Sequence, residues 1–242
     1  MTSDALIPRP NPLLLRLGRL YHRVAHPIYQ RLLKRPGLVT CDELKLATLP
    51  TVFHPVIMRA GVMLGRAAAK VGPPAAPDRN RALDMGCGSG IVGLFMARQG
   101  YDTVCVDLSA DAVRLTRANA LLNGLDQRMD VREGDLFLPV AGETFDLICF
   151  APPYYSAPPN GTDLVGAFWS EGILSRFATD LPKFLHPDGI ALVHLSTTGD
   201  SQGFLTPAKA VGFVITVHSR KVYLNEIMTV YALRLGSTVD HP

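Results

Sequence analysis

Three aspartates stand at the ends of apolar runs: Asp84 in "RALDMGCGSG", Asp107 in "DTVCVDL" and Asp135 in "EGDLF". A row of glycines, Gly86, Gly88 and Gly90, follows the first of them. Without Cβ atoms the backbone there can approach a ligand closely, and the helix that comes next offers its free N–H groups. Asp107 lies 19 residues after Gly88, where a carboxylate can accept hydrogen bonds from both hydroxyls of a ribose. A nucleoside-containing cofactor is implied. The run Gly88-x-Gly90-x-x-Gly93 also satisfies the dinucleotide fingerprint, which keeps an NAD(P)-binding oxidoreductase open as an alternative. Asp84 weighs against it, because a carboxylate two residues before the first glycine would hold an ammonium group and repel a pyrophosphate. Asp135 could receive an adenine amino group, which completes a row of acids suited to a cationic cofactor.

These side chains need strands and helices to place them. From residue 81 the pattern alternates: a strand into the glycines, a helix "IVGLFMARQG" closed by Gly100, and a second strand ending at Asp107. A helix "SADAVRLTRANALLNG" follows, capped by Ser109 and finished at Asn123–Gly124, and then a third strand "MDVREGDLF". "TFDLICF" is a fourth strand, "DLPKFLHPDG" a helix and turn, and "IALVHLS" a fifth strand, before the antiparallel pair "GFVITVHS" and "EIMTVYALRL". The expected fold is α/β: a Rossmann-like, doubly wound, mostly parallel seven-stranded sheet with a C-terminal antiparallel strand pair and N-terminal helices. Ligands of such sheets bind at the carboxyl ends of the strands.

A chain of 242 residues with 48% hydrophobic content can bury one large core. No apolar run approaches the roughly 20 residues that span a bilayer, and the first thirty residues lack the pattern of a signal peptide, so the cytoplasm is the expected location. The four cysteines have no C-x-x-C spacing, and no metal site is indicated. Residues 1–60 hold nine Lys/Arg against three Asp/Glu. Leu13, Leu17, Leu20 and Val24 recur at helical spacing with Arg16, Arg19 and Arg23 between them, an amphipathic helix interrupted near Pro27. Residues 1–50 are read as a helical lid or substrate-side appendage and 51–242 as the cofactor-binding domain, with "VGPPAAPDRN" as a surface connector.

In order and spacing, "LDMGCGSG", "VCVDLS", "EGDLF" and "FDLICFAPPYY" resemble the class I S-adenosylmethionine-dependent methyltransferases, in particular the small-domain group that includes the release-factor glutamine methyltransferases. The resemblance implies S-adenosyl-L-methionine as cofactor, with Asp84 near the methionine ammonium and Gly86, Gly88 and Gly90 forming the loop beneath. It further implies that Asp107 binds the ribose and Leu108 lies against the adenine, while Asp135 meets the adenine amino group and the Leu136 N–H a ring nitrogen. Phe53, His54 and Pro55, in "LPTVFHPVIMRAG", correspond to a segment that covers the cofactor. His54 could remove a proton from a hydroxyl substrate or cap the next helix. His194, in "ALVHLS", is read as a core histidine.

"APPYY" is similar to the (Asn/Asp)-Pro-Pro-(Tyr/Phe) motif of enzymes that methylate planar nitrogen. Prolines fix φ and donate no N–H, so the carbonyls of Ala151 and Pro152 stay free to face a nucleophile, and Tyr154 can stack on a planar group or hydrogen bond to it. Tyr155, Trp169 and the loop "SAPPNGTDLVGAFWSEG" would line the substrate side. Position 151 departs from the motif: alanine takes away a side-chain acceptor, and an N–H left unpaired costs about 1–3 kcal/mol. The expected acceptor is therefore a nitrogen or oxygen of a small molecule with fewer N–H groups to satisfy. RNA or a protein glutamine is the alternative substrate.

Overall fold

The computed structural model describes residues 6–8, 35–75, 79–152, 172–224 and 226–236. The expectations for the helices of residues 13–34 and for Pro153, Tyr154, Tyr155, Trp169 and their loop lie outside the described residues.

Seven strands form the central sheet: β3 (Arg81–Met85), β4 (Asp102–Asp107), β5 (Met129–Glu133), β6 (Phe145–Phe150), β7 (Leu185–Ser196), β8 (Phe213–Val222) and β9 (Ile227–Leu235), in the order β5-β4-β3-β6-β7-β9-β8. Pairing is parallel from β5 to β7 and antiparallel where β9 meets β7 and β8. This is the expected doubly wound sheet. The chain moves from β3 outward to β4 and β5, then returns to place β6 on the other side of β3, so strand order reverses between β3 and β6. That reversal opens a crevice at the carboxyl ends.

The inner strands are buried on both faces, as parallel strands sandwiched between helices must be. Leu147, Cys149 and Leu192 pack toward α1 (Ala60–Val71) and α2 (Ile91–Arg98). Leu83, Met85, Ile148 and Val193 pack toward α4 (Ile173–Asp180) and α5 (Ser201–Ala210). Between β4 and β5 runs α3 (Ala110–Leu122), whose Ser109 cap accepts from Ala112 N at 3.4 Å as expected. Helices α1 and α2 approach each other closely through glycine. A Cβ on Gly61 would come within 2.7 Å of Ile91 Cγ2, and one on Gly65 within 2.3 Å of Phe95 Cδ2.

Several elements differ from the sequence pattern. The third strand stops at Glu133 rather than running through "GDLF", because Leu136 turns the chain at φ 45°. The segment "LHPDG" belongs to β7, with a register irregularity opposite Phe145 and Leu147. Within 1–50, β1 (Gly37–Cys41) and β2 (Leu44–Thr48) form a hairpin where only helices are expected. Its two turn residues, Asp42 (φ 47°) and Glu43 (φ 69°), are both left-handed, as a type I′ turn requires; Asp42 suits the first position, but Glu43 stands where glycine is usual. Long-range contacts offset the strain. Arg66 of α1 grips the Asp42 carboxylate with two hydrogen bonds, at 2.6 and 2.8 Å, and Arg98 of α2 donates to the Asp42 carbonyl.

Candidate active site

A cavity of about 250 Å³ lies at the carboxyl ends of β3, β4 and β6, and its walls include Asp84, Gly86, Gly88, Asp107, Leu108, Asp135, Leu136, Phe53, His54, Ala151 and Pro152. Nearly all of the residues singled out from the sequence and described in the structure are therefore brought together. Gly90 is the exception.

The four glycines after β3 divide into two kinds. Gly86 and Gly88 are left-handed, at φ 66° and 55°. A Cβ on either would meet no atom nearer than Phe150 Cε2 at 3.6 Å or Val52 Cγ1 at 3.9 Å, so the missing side chains leave space in the cavity. Gly90 and Gly93 serve packing. A Cβ on Gly90 would fall 2.7 Å from Thr116 Cγ2, and one on Gly93 would fall 2.6 Å from Cys105 Sγ. Gly90 lies outside the cavity wall: it is the left-handed residue that starts α2 and packs against Thr116 of α3.

Asp107 ties the site together. Its Oδ2 accepts from Gly88 N at 2.8 Å and its Oδ1 from Ser109 N at 2.9 Å, so one carboxylate fixes the glycine loop and the start of α3. Burial raises its pKa above the usual carboxylate range, against the pull of these backbone N–H groups. Asp84 is 2% exposed and accepts from Gly93 N at 2.9 Å. Burial pushes it up to about 7, helped by the charge of Asp107. Each carboxylate lies in a setting that a bound cation or further donors would relieve.

Leu108 is 71% exposed although it is a large apolar residue in a cavity wall, which suits a site completed by a flat ring. Leu136 holds a left-handed φ of 45°, a strain that clusters at binding sites. Asp135 has a partner the sequence does not point to: Arg176 of α4, at 2.6 Å. Both side chains are substantially exposed, so the pair contributes roughly 0–1 kcal/mol and an adenine amino group can compete for the carboxylate.

His54 takes the second of its two expected roles, the cap. Its Nδ1 accepts from Val56 N and Ile57 N, each at 3.3 Å, so it caps the turn that leads to α1. With Nδ1 occupied as an acceptor, the neutral ring carries its proton on Nε2, which does not suit it to act as a base. Burial keeps its pKa below the ordinary histidine value. His194 is fully buried in β7, and burial pushes it to about 4.

Asp84 stands one residue before the end of β3, Asp107 ends β4, and Ala151 and Pro152 follow β6. The sequence profile of the methyltransferase small domain family matches residues 66–191, 126 of the 242. The chain belongs to this family. It is an S-adenosylmethionine-dependent methyltransferase, and the space over Gly86 and Gly88, the carboxylate acceptors of Asp84 and Asp107 and the open Leu108 all fit that cofactor. A proposed protein N5-glutamine methyltransferase of Methanocaldococcus jannaschii is 28% identical over 207 residues, 82% of this chain and 100% of that protein. Ribosomal RNA small subunit methyltransferase C of Alcanivorax borkumensis is 33% identical over 110 residues, 46% of this chain but only 30% of that protein. A chain of the E. cuniculi Mtq2–Trm112 complex, responsible for the methylation of the eRF1 translation termination factor, superposes with a TM-score of 0.58 at 16% identity, covering 77% of this chain and 99% of that one. At that identity the likeness concerns the fold. No helix among the described residues is long and apolar enough to cross a membrane.

Proposed function

We propose that the chain methylates the side-chain amide nitrogen of a glutamine in a protein substrate, acting in the cytoplasm. The observation that carries this reading is the match to the M. jannaschii protein over that protein's whole length, on a chain whose cavity ends at Ala151 and Pro152. It favours a macromolecular acceptor over the small molecule inferred from Ala151, because these relatives are named for protein glutamine or ribosomal RNA. Bound S-adenosylmethionine supplies an electrophilic methyl carbon with a neutral thioether as leaving group. The protein's task is then to orient and to exclude water. Asp84 holds the ammonium end and Asp107 the ribose, while Leu108, Asp135 and the Leu136 N–H hold the adenine. The carbonyls at Ala151 and Pro152 accept one of the two amide N–H groups and keep the nitrogen in line. Such fixed orientation is worth effective molarities of about 10⁵ M or more.

This reading is tested by offering methyl-tritiated S-adenosylmethionine to purified translation termination factor, ribosomal proteins, ribosomal RNA and a metabolite extract. Label should enter a protein and be released as volatile methylamine on alkaline hydrolysis, since an N5-methylglutamine amide yields glutamate and methylamine. Label confined to RNA or to metabolites would overturn it. Ala151→Asn should raise kcat/KM toward a glutamine substrate by about tenfold, by restoring an acceptor for the second N–H. A fall of that size would mean that the acceptor offers no second N–H.

Proton linkage gives a further expectation. Asp84, held at about 7 by burial, must be ionised to pair with the ammonium of the cofactor or of its product. S-adenosylhomocysteine affinity should therefore fall by about tenfold per pH unit below pH 6 and level off above pH 8, with proton release on binding near pH 6–7 in calorimetry. Affinity constant from pH 5.5 to 8 would refute the assignment of Asp84.

A further inference from the structure

We infer that Asn119 is a positioning residue that holds the floor and the roof of the cofactor cavity with one side-chain amide. The inference rests on the cofactor site and is independent of which acceptor is methylated. Asn119 lies on α3 and is fully buried. Its Nδ2 donates to Ser89 O at 2.9 Å, in the glycine loop that forms the floor. The same amide pairs with β2, Oδ1 accepting from Ala47 N at 2.7 Å and Nδ2 donating to Ala47 O at 3.2 Å. From Ala47 the chain runs within five residues to Val52, whose Cγ1 is the nearest atom over Gly88, and then to Phe53 in the cavity wall. One turn earlier on α3, Thr116 Oγ1 donates to Gly88 O at 3.0 Å, so α3 side chains hold two successive loop carbonyls.

The arrangement has an internal control. One turn further along, Asn123 makes the same paired contact with Lys45, accepting from its N–H at 2.9 Å and donating to its carbonyl at 2.7 Å. The spacing follows from geometry: four helical residues advance about 6 Å, and two strand residues about 6.8 Å, so asparagines at i and i+4 meet alternate residues of a strand. The β1–β2 turn closes Cys41 onto Leu44, which leaves the N–H and carbonyl of residues 45 and 47 facing away from β1. The two side-chain amides thus serve β2 as a substitute neighbouring strand. Both clip the hairpin to α3, but of the two only Asn119 reaches the glycine loop.

Calorimetric titration of the full chain with S-adenosylhomocysteine separates the two roles. Asn119→Ala should weaken binding at least tenfold, and Asn123→Ala should leave it within twofold of wild type, while both lower the ligand-free melting temperature. Equal weakening by the two variants, or binding within twofold for Asn119→Ala, would overturn the inference. Should Asn119→Ala not fold, amide hydrogen exchange of the wild-type chain decides. Saturating S-adenosylhomocysteine should slow exchange at Ala47, outside the cavity wall, by at least tenfold, and unchanged exchange there would overturn the inference as well.

Discussion

Replacing Asp107 by alanine should weaken S-adenosylhomocysteine binding by about a hundredfold or more and abolish the thermal shift that the ligand gives the wild-type chain. The carboxylate does two things at once. It accepts from Gly88 N and Ser109 N, which shapes the loop before any ligand arrives, and in the proposed cofactor complex its remaining lone pairs would accept from the ribose hydroxyls. Hydrogen bonds to a charged group contribute roughly 1.5–3 kcal/mol each, and 1.4 kcal/mol is about a factor of ten in affinity, so the loss of two ribose contacts alone reaches the stated size. Asp107→Asn keeps the shape but sets an amide N–H against one of the backbone donors, and it should fall between wild type and alanine. Titration calorimetry measures both. A loss under tenfold for Asp107→Ala would remove Asp107 from the cofactor's contacts.

Gly65→Val should lower the melting temperature by roughly 5–10 °C, on the basis of about 2–3 kcal/mol for overpacking a close helix contact and about 2–4 °C per kcal/mol in a chain of this size. A Cβ at this position would already stand 2.3 Å from the Phe95 ring, which is 2% exposed and has nowhere to move. Because Gly61, one turn away, lines the cavity, pushing α1 from α2 should also loosen cofactor binding. Differential scanning calorimetry with and without S-adenosylhomocysteine gives both quantities, and a shift below 2 °C would show that the two helices can separate at little cost.

What could be read from the sequence alone was whatever depends on neighbours in the chain. The strands β3, β4 and β6 announce themselves as apolar runs, α3 by its Ser109 cap and its Asn123–Gly124 end, and the candidate acids Asp84 and Asp107 by standing at or beside the ends of strands. These are short-range signals, and together they imply a parallel sheet with a nucleoside site at its carboxyl edge. The tertiary structure decided the rest. The pattern between residues 37 and 48 carries no glycine turn, and the left-handed Asp42 is held by Arg66 and Arg98, which lie 24 and 56 residues further along. Helix α5 contains Gly203 and Pro207, which argue against a helix locally, yet it forms with an Asp200 cap and with Phe204, Leu205 and Ala208 buried in the core. Glycines that look equivalent in "GCGSG" separate into two that leave room for a ligand and one that leaves room for Thr116, because only packing reveals which side the missing Cβ would have occupied. Arg176 beside Asp135, and Asn119 between loop and hairpin, belong to the same class: each acts on a partner at least thirty residues away in sequence, which no local periodicity can encode.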